Sequence, residues 1–213
     1  MELFATLVDI VLHLDQHLQW LVANYGSWIY AILFLIIFCE TGLVLTPFLP
    51  GDSLLFVAGT VAAAGEMYVH GLFAALAAAS FLGDNTNYWI GRFVGPRVFR
   101  REKSLLFNPE HLVRTQRFYD RYGAKTVFLA RFVPIVRTFA PFVAGIGRMH
   151  YPRFVFYSFS GSVVWVGSLT YAGFYFVNVP LVKENLSIVI VIIILLSISP
   201  GLVEYLRHRA RAR

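Results

Sequence analysis

Three long stretches of this chain contain no aspartate, glutamate, lysine or arginine. They cover residues 16–39, 154–182 and 185–203, and each is about as long as the ~20 apolar residues that a helix needs to cross a bilayer. Hydrophobic residues make up 58% of the 213 positions and charged residues 14%, whereas soluble domains average about 45–50% and about 25%. We therefore predict an all-α, polytopic protein that forms a single integral membrane domain over residues 1–213.

The individual helices follow from these stretches and their flanks. We expect spans over 154–177 and 186–206, and a further span over 69–92 that is interrupted only by Asp84. A carboxylate at that depth should face protein or water rather than lipid. Residues 3–23 alternate acidic and histidine side chains with apolar ones, which indicates an amphipathic helix, interfacial or shallowly buried.

Basic residues are distributed unevenly along the chain. The first lysine or arginine is Arg92, and nine of the 18 lie between Arg92 and Lys125. The positive-inside rule therefore predicts that the loop and helix over 92–125 and the carboxyl terminus are cytoplasmic. Anionic headgroups account for the net charge of +6, so the expected partners are membrane lipids and no nucleic acid.

Two apolar segments contain pairs of prolines, which interrupt a continuous helix. The segments are residues 41–64, with Pro47 and Pro50, and residues 124–149, with Pro134 and Pro141. If successive spans cross the membrane in alternating directions, each of these segments must begin and end on the same side. We therefore predict two re-entrant helical hairpins that enter from opposite faces.

The two segments also share a short sequence. Phe-Val-Ala-Gly occurs at 56–59 and again at 142–145, although four residues can repeat by chance. Opposite entry together with local similarity is typical of the inverted repeats of secondary transporters, whose sites form near the midplane where broken helices meet.

Four ionisable residues lie in or beside these hairpins: Glu40, Asp52, Arg131 and Arg137. Each costs at least ~2.5–3.5 kcal/mol at mid-membrane unless it is paired or hydrated. Two guanidinium groups suit a phosphate, because each presents a planar fork of donors. A desolvated carboxyl group suits proton coupling. The alternative is a static lattice of salt bridges, which is a weak stabilising device when buried.

Other polar features are less specific. Asp84 and Tyr88 belong to a polar stripe on the predicted 69–92 span, which either lines a pathway or joins helices by hydrogen bonds. The sequence contains no nucleophile or phosphate-loop motif and no paired metal spacing. We therefore expect no enzyme activity, no metal and no cofactor.

Several motifs occur in an order that resembles the DedA family of bacterial inner-membrane proteins. They are Phe38-Cys39-Glu40-Thr41-Gly42, residues 47–53 (PFLPGDS), Gly83-Asp84 with Tyr88 and Gly91-Arg92, and residues 128–134 (FLARFVP) followed by Arg137. This resemblance implies two re-entrant hairpins facing one another, as in VTT-domain scramblases. It also implies that Glu40 and Asp52 form the functional acidic pair, and Arg131 and Arg137 the arginine pair.

The hypothesis is a proton-coupled flippase of the bacterial inner membrane. Arg131 and Arg137 would hold a lipid phosphate headgroup, such as that of undecaprenyl phosphate or a phospholipid, while Glu40 and Asp52 carry the proton. A proton-coupled exporter of small cations and a non-transporting membrane scaffold are the alternatives. Small residues such as Ala74 allow close packing between copies, which is compatible with a homo-oligomer.

Overall fold

The computed structural model describes residues 14–43, 51–65, 67–98, 119, 122–176 and 179. Every regular element among them is helical, which confirms the all-α prediction. The α-helices are α1 (Leu14–Tyr25), α2 (Trp28–Gly42), α3 (Gly51–Ala63), α4 (Val69–Val98), α5 (Thr126–Leu129), α6 (Pro134–Ile146) and α7 (Tyr151–Phe176). Short 3-10 turns at Gly123–Lys125 and Ala130–Phe132 flank α5.

Some predicted elements lie outside the described residues. These are the span over 186–206, the first part of the amphipathic helix over 3–23, and most of the segment 92–125. Residues 44–50, with both prolines of the first predicted hairpin, also lie outside them. Within the ranges that the structure does describe, no helix is both long enough and apolar enough to cross a membrane.

The charge-free stretch over 16–39 is divided between two helices at Gly26. Its backbone lies in the left-handed region, with φ 51°, which glycine adopts without steric cost. The Gly26 amide still donates to the Val22 carbonyl at 2.9 Å, so this glycine ends α1 as a C-terminal cap. The described part of the predicted amphipathic helix is therefore helical and ends at Tyr25.

The segment 124–149 is broken at one of its two prolines. Val133 is extended, with φ −124° and ψ 101°, and α6 begins at Pro134. The expected second break, at Pro141, is wrong because this proline lies inside α6. Proline has no backbone N–H, so the helical hydrogen bond to the carbonyl four residues earlier is missing.

Neighbouring side chains donate to carbonyls around Pro141. Asn87 Nδ2 donates to the Thr138 carbonyl at 2.9 Å, and Tyr119 OH donates to the Ala140 carbonyl at 2.9 Å. Desolvation raises the pKa of the Tyr119 phenol above its ordinary value, so the phenol remains a donor. Both bonds tie α6 to neighbouring side chains just before Pro141.

The chain divides into two compact units. The first comprises residues 1–34, 50–76 and 166–213, and the second comprises residues 35–49 and 77–165. In the first unit, α3 packs against the carboxyl-terminal part of α7 through glycines. A Cβ atom on Gly59 would lie 2.1 Å from the Thr170 carbonyl oxygen, and one on Gly173 would lie 2.0 Å from that of Phe56.

The second unit contains the same arrangement between α6 and α4. A Cβ on Gly145 would lie 2.0 Å from the Tyr88 carbonyl oxygen, and one on Gly91 would lie 2.1 Å from that of Phe142. In both units, the last glycine of Phe-Val-Ala-Gly lies against a carbonyl of the partner helix, three residues before a glycine of that helix. That second glycine lies in turn against the carbonyl of the phenylalanine that begins the tetrapeptide. The repeated tetrapeptide therefore marks equivalent local packing in the two units.

Candidate functional site

Buried polar side chains line one face of α4 in the second unit. Ser80, Asp84 and Asn87 are spaced by four and three residues, so they follow one another along a helix face. All three are at most 4% exposed. From α7, Ser158 and Ser162 are likewise buried and one turn apart. A polar face inside a helical unit must find its hydrogen-bond partners within the protein.

Arg131 is the partner of most of these groups. Its 3-10 turn places the guanidinium in the interior, where the residue is 3% exposed. Nη2 donates to the Asp84 carboxylate and, at 2.7 Å, to Ser162 Oγ. Nη1 donates to Ser80 Oγ at 2.5 Å.

Ser158 completes this arrangement on the acidic side. Its hydroxyl donates to Asp84 Oδ2 at 2.6 Å, so the carboxylate accepts from a serine as well as from the guanidinium. The charges of Arg131 and Asp84 therefore offset one another inside a network of hydrogen bonds, which makes the buried pair tolerable.

Arg137 forms the second ion pair of this unit. Its Nη2 atom donates to Glu40 Oε1 at 2.7 Å, and the two side chains are 11% and 3% exposed. Glu40 lies in the last turn of α2 and Arg137 in the first turn of α6. The Arg137 side chain is thus more accessible than that of Arg131, which is 2% exposed.

Trp165 of α7 contacts both guanidinium groups. The centre of its ring lies 5.5 Å from Arg131 Cζ and 4.8 Å from Arg137 Cζ, within the range of cation–π attraction. This tryptophan is buried at 3% exposure, and its one indole ring links the two arginines.

Asn87 joins the backbone on both sides of the Glu40–Arg137 pair. Its Nδ2 donates to the Thr41 carbonyl at 3.2 Å and to the Thr138 carbonyl at 2.9 Å, and these threonines directly follow Glu40 and Arg137. The Asn87 amide oxygen is buried and has no hydrogen-bond partner among the described residues. Asn87 therefore bridges the backbones next to the two charged residues. Its amide oxygen remains as a buried acceptor inside the unit.

The structure brings four of the six predicted site residues into two pairs, Arg137 with Glu40 and Arg131 with Asp84. Asp52 belongs to the first unit, where it lies half-buried in the first turn of α3. That Asp52 also joins the arginines stays a prediction.

Tyr88 lies apart from the ion pairs. It packs in a hydrophobic cluster with Val127, Ala144 and Phe154, and its ring stacks on Phe154 with centroids 4.4 Å apart. Its hydroxyl donates to the Met149 carbonyl at 2.6 Å. The contacts of Tyr88 are those of an anchor for the loop between α6 and α7.

Sequence reasoning missed Trp165 and the serines. Ser158, Ser162 and Trp165 are spaced by four and three residues, which is the one signal that could have placed them on a common face. The choice of face required knowledge of the neighbouring helices. Within the ranges that the structure describes, no group of three or more histidine, cysteine or acidic residues could hold a metal ion.

Comparison with known proteins gives a consistent picture. Residues 49–175 match the model of the VTT domain. The chain is 53% identical over its full length to Protein DedA of Escherichia coli K12, covering 99% of that protein. It is 41% identical to an uncharacterized membrane protein of Mycobacterium tuberculosis CDC 1551 / Oshkosh, over 91% of this chain and 87% of the relative.

A more distant relative is the inner membrane protein YghB of Escherichia coli K12. The identity is 32% over 92% of this chain and 90% of the relative. No solved structure matches. Both the domain match and the full-length identity lead to the same assignment, and the chain belongs to the DedA family of VTT-domain proteins.

Proposed function

We propose that this protein is a proton-coupled translocase of the inner membrane that moves a lipid with a phosphate headgroup, such as undecaprenyl phosphate or a phospholipid. The observation that carries the proposal is the Glu40–Arg137 ion pair, 2.7 Å long and almost fully buried in the second unit. Charged side chains inside membrane proteins commonly mark substrate or proton pathways. The names of the relatives as membrane and inner membrane proteins support the location.

Arg137 is the primary phosphate ligand in this proposal. Its guanidinium presents a fork of donors that matches two phosphate oxygens, and it is the more accessible of the two arginines. To bind phosphate, Arg137 must release Glu40. A displaced, buried carboxylate next to an incoming anion is unfavourable, so Glu40 takes up a proton when the headgroup binds. Substrate binding and proton uptake are thereby linked.

Arg131 plays a different part in the same site. Three of its hydrogen bonds go to Asp84, Ser80 and Ser162, so its guanidinium is held in place. It supplies positive charge for the phosphate, while Trp165 keeps the two guanidinium groups beside one apolar ring. Asp84 then serves to fix Arg131 rather than to line a pathway.

The movement is assigned to the proline-broken segments. In the proposal, residues 41–64 and 124–149 are re-entrant hairpins of an inverted repeat, and alternating exposure arises from their motion within the surrounding helices. The equivalent glycine contacts of Gly59 and Gly145 support this repeat. Asp52 provides the second proton-coupling carboxylate from the first unit, and the carboxyl terminus lies in the cytoplasm.

The experiment is lipid translocation in vesicles that contain the purified full-length protein. Movement of a fluorescent polyprenyl phosphate should be abolished by Arg137→Ala and reduced by Arg137→Lys, which keeps the charge and loses the fork. Arg148→Gln is the matched control, because it removes one exposed arginine outside the ion pairs. Full transport by Arg137→Ala would contradict the proposal.

The same vesicles separate the alternative functions. A cation exporter would lose cation efflux in Glu40→Gln and Asp52→Asn while lipid movement persisted. A scaffold would show no transport and would tolerate neutral substitutions at all four charged positions.

A further inference from the structure

A surface cleft lies at the amino-terminal end of α7 in the second unit. Its volume is about 470 Å³, and it is lined by Ala124, His150, Pro152, Arg153, Phe156 and Tyr157. Pockets that hold small molecules measure ~300–1,000 Å³, so the cleft can contain a lipid headgroup. None of its lining residues takes part in the two buried ion pairs.

The polar side chains of this cleft favour an anion. Arg153 and His150 line it and are exposed, and exposed Lys125 directly follows lining residue Ala124. No lining side chain is acidic. A guanidinium binds phosphate oxygens through charge-assisted hydrogen bonds, and basic pockets on the cytoplasmic side of membrane proteins bind anionic headgroups.

An apolar surface continues from the cleft along α7. Phe156, Phe159 and Val164 are 66%, 56% and 44% exposed. At 100° per residue, these side chains and Arg153 fall within about 140° of the helix circumference. A row of exposed apolar side chains beside a basic cleft is complementary to a ligand with an acyl chain attached to its phosphate, and a free phosphate would leave this row uncovered.

We propose that the cleft binds the headgroup of an anionic glycerophospholipid from the surrounding leaflet. The phosphate contacts Arg153 and His150, and an acyl chain lies along Phe156 and Phe159. This lipid is bound at the surface and is not the cargo held between the buried arginines. The inference does not depend on the proposed transport, because it requires only equilibrium binding at the cleft.

The test is native mass spectrometry of the full-length protein in detergent, titrated with phosphatidylglycerol or with phosphatidylcholine of the same chain length. We expect phosphatidylglycerol to bind more tightly. Arg153→Gln should weaken its binding about fivefold, since a basic residue near anionic lipid contributes about 1 kcal/mol. Phe156→Ser should weaken the binding of both lipids.

Arg148→Gln is the matched control, because Arg148 is exposed two residues before His150 and does not line the cleft. Its binding of phosphatidylglycerol should equal that of the wild type. Equal losses in Arg148→Gln and Arg153→Gln would indicate diffuse surface charge and overturn the proposal. Equal binding of the two lipids, or full competition by soluble glycerol phosphate, would also overturn it.

Discussion

Asp84→Asn tests how far the second unit depends on its most enclosed ion pair. The substitution preserves the size of the side chain and removes the negative charge that faces Arg131, whose side chain is 2% exposed. Removing one partner of a buried pair typically costs about 3–5 kcal/mol, because the other charge stays buried without compensation. Asparagine still offers an oxygen to Arg131 or Ser158, so we expect about 3 kcal/mol.

Thermal unfolding of the detergent-solubilised protein provides the measurement. For a chain of this length, 1 kcal/mol shifts the midpoint by about 2–4 °C, so the expected decrease is roughly 6–12 °C. The double variant Asp84→Asn/Arg131→Gln removes both charges and should lose less stability than Asp84→Asn alone. A double variant that loses the sum of the two single effects would refute the reasoning, since independent sites add and coupled sites do not.

Three further predictions concern other contacts of the described helices. Gly91→Ala should destabilise the protein, because its Cβ would lie 2.1 Å from a backbone oxygen. Gly71→Ala in the same helix meets only the Tyr68 side chain and should be neutral or stabilising by up to about 1 kcal/mol. Thermal unfolding of both variants checks this, and equal losses of stability would contradict it. Asn87→Leu removes a side-chain donor from two buried carbonyls and should destabilise the protein by about 1–3 kcal/mol in total. We expect a lower unfolding midpoint and weaker lipid transport, whereas unchanged transport would separate Asn87 from the site. Trp165→Leu removes two cation–π contacts of about 0.5–2 kcal/mol each and should weaken the binding of lipid phosphate, measured by native mass spectrometry. Binding equal to that of the wild type would exclude a role of Trp165 in holding the arginines for the phosphate.

Much of the fold follows from local patterns. Charge-free stretches and the prolines predict where helices form, and the structure bears this out for the all-helical architecture and for the start of α6 at Pro134. The break predicted at Pro141 is wrong, and the local sequence does not show the tertiary contacts that hold α6, among them the hydrogen bonds from Asn87 and Tyr119. Those donors come from distant parts of the chain.

The site was only partly predictable for the same reason. The cost of burying charge identifies Arg131, Arg137 and Glu40 as residues that need partners. It does not identify the partners, since a carboxylate at position 84 and one at position 40 satisfy the same electrostatic requirement. Trp165 gives no signal of its own, because an isolated tryptophan in an apolar helix is also a common packing or interfacial residue.

In the proposed cycle, a lipid phosphate replaces Glu40 on Arg137 while Glu40 takes up a proton. The most direct measurement is the number of protons that move per polyprenyl phosphate in vesicles with an imposed pH gradient. We expect the gradient to drive lipid movement in the wild type, with proton flux that requires the lipid, and Glu40→Gln to move lipid without responding to the gradient. Gradient-driven transport that persists in Glu40→Gln, or wild-type lipid movement that is indifferent to pH, would contradict the account.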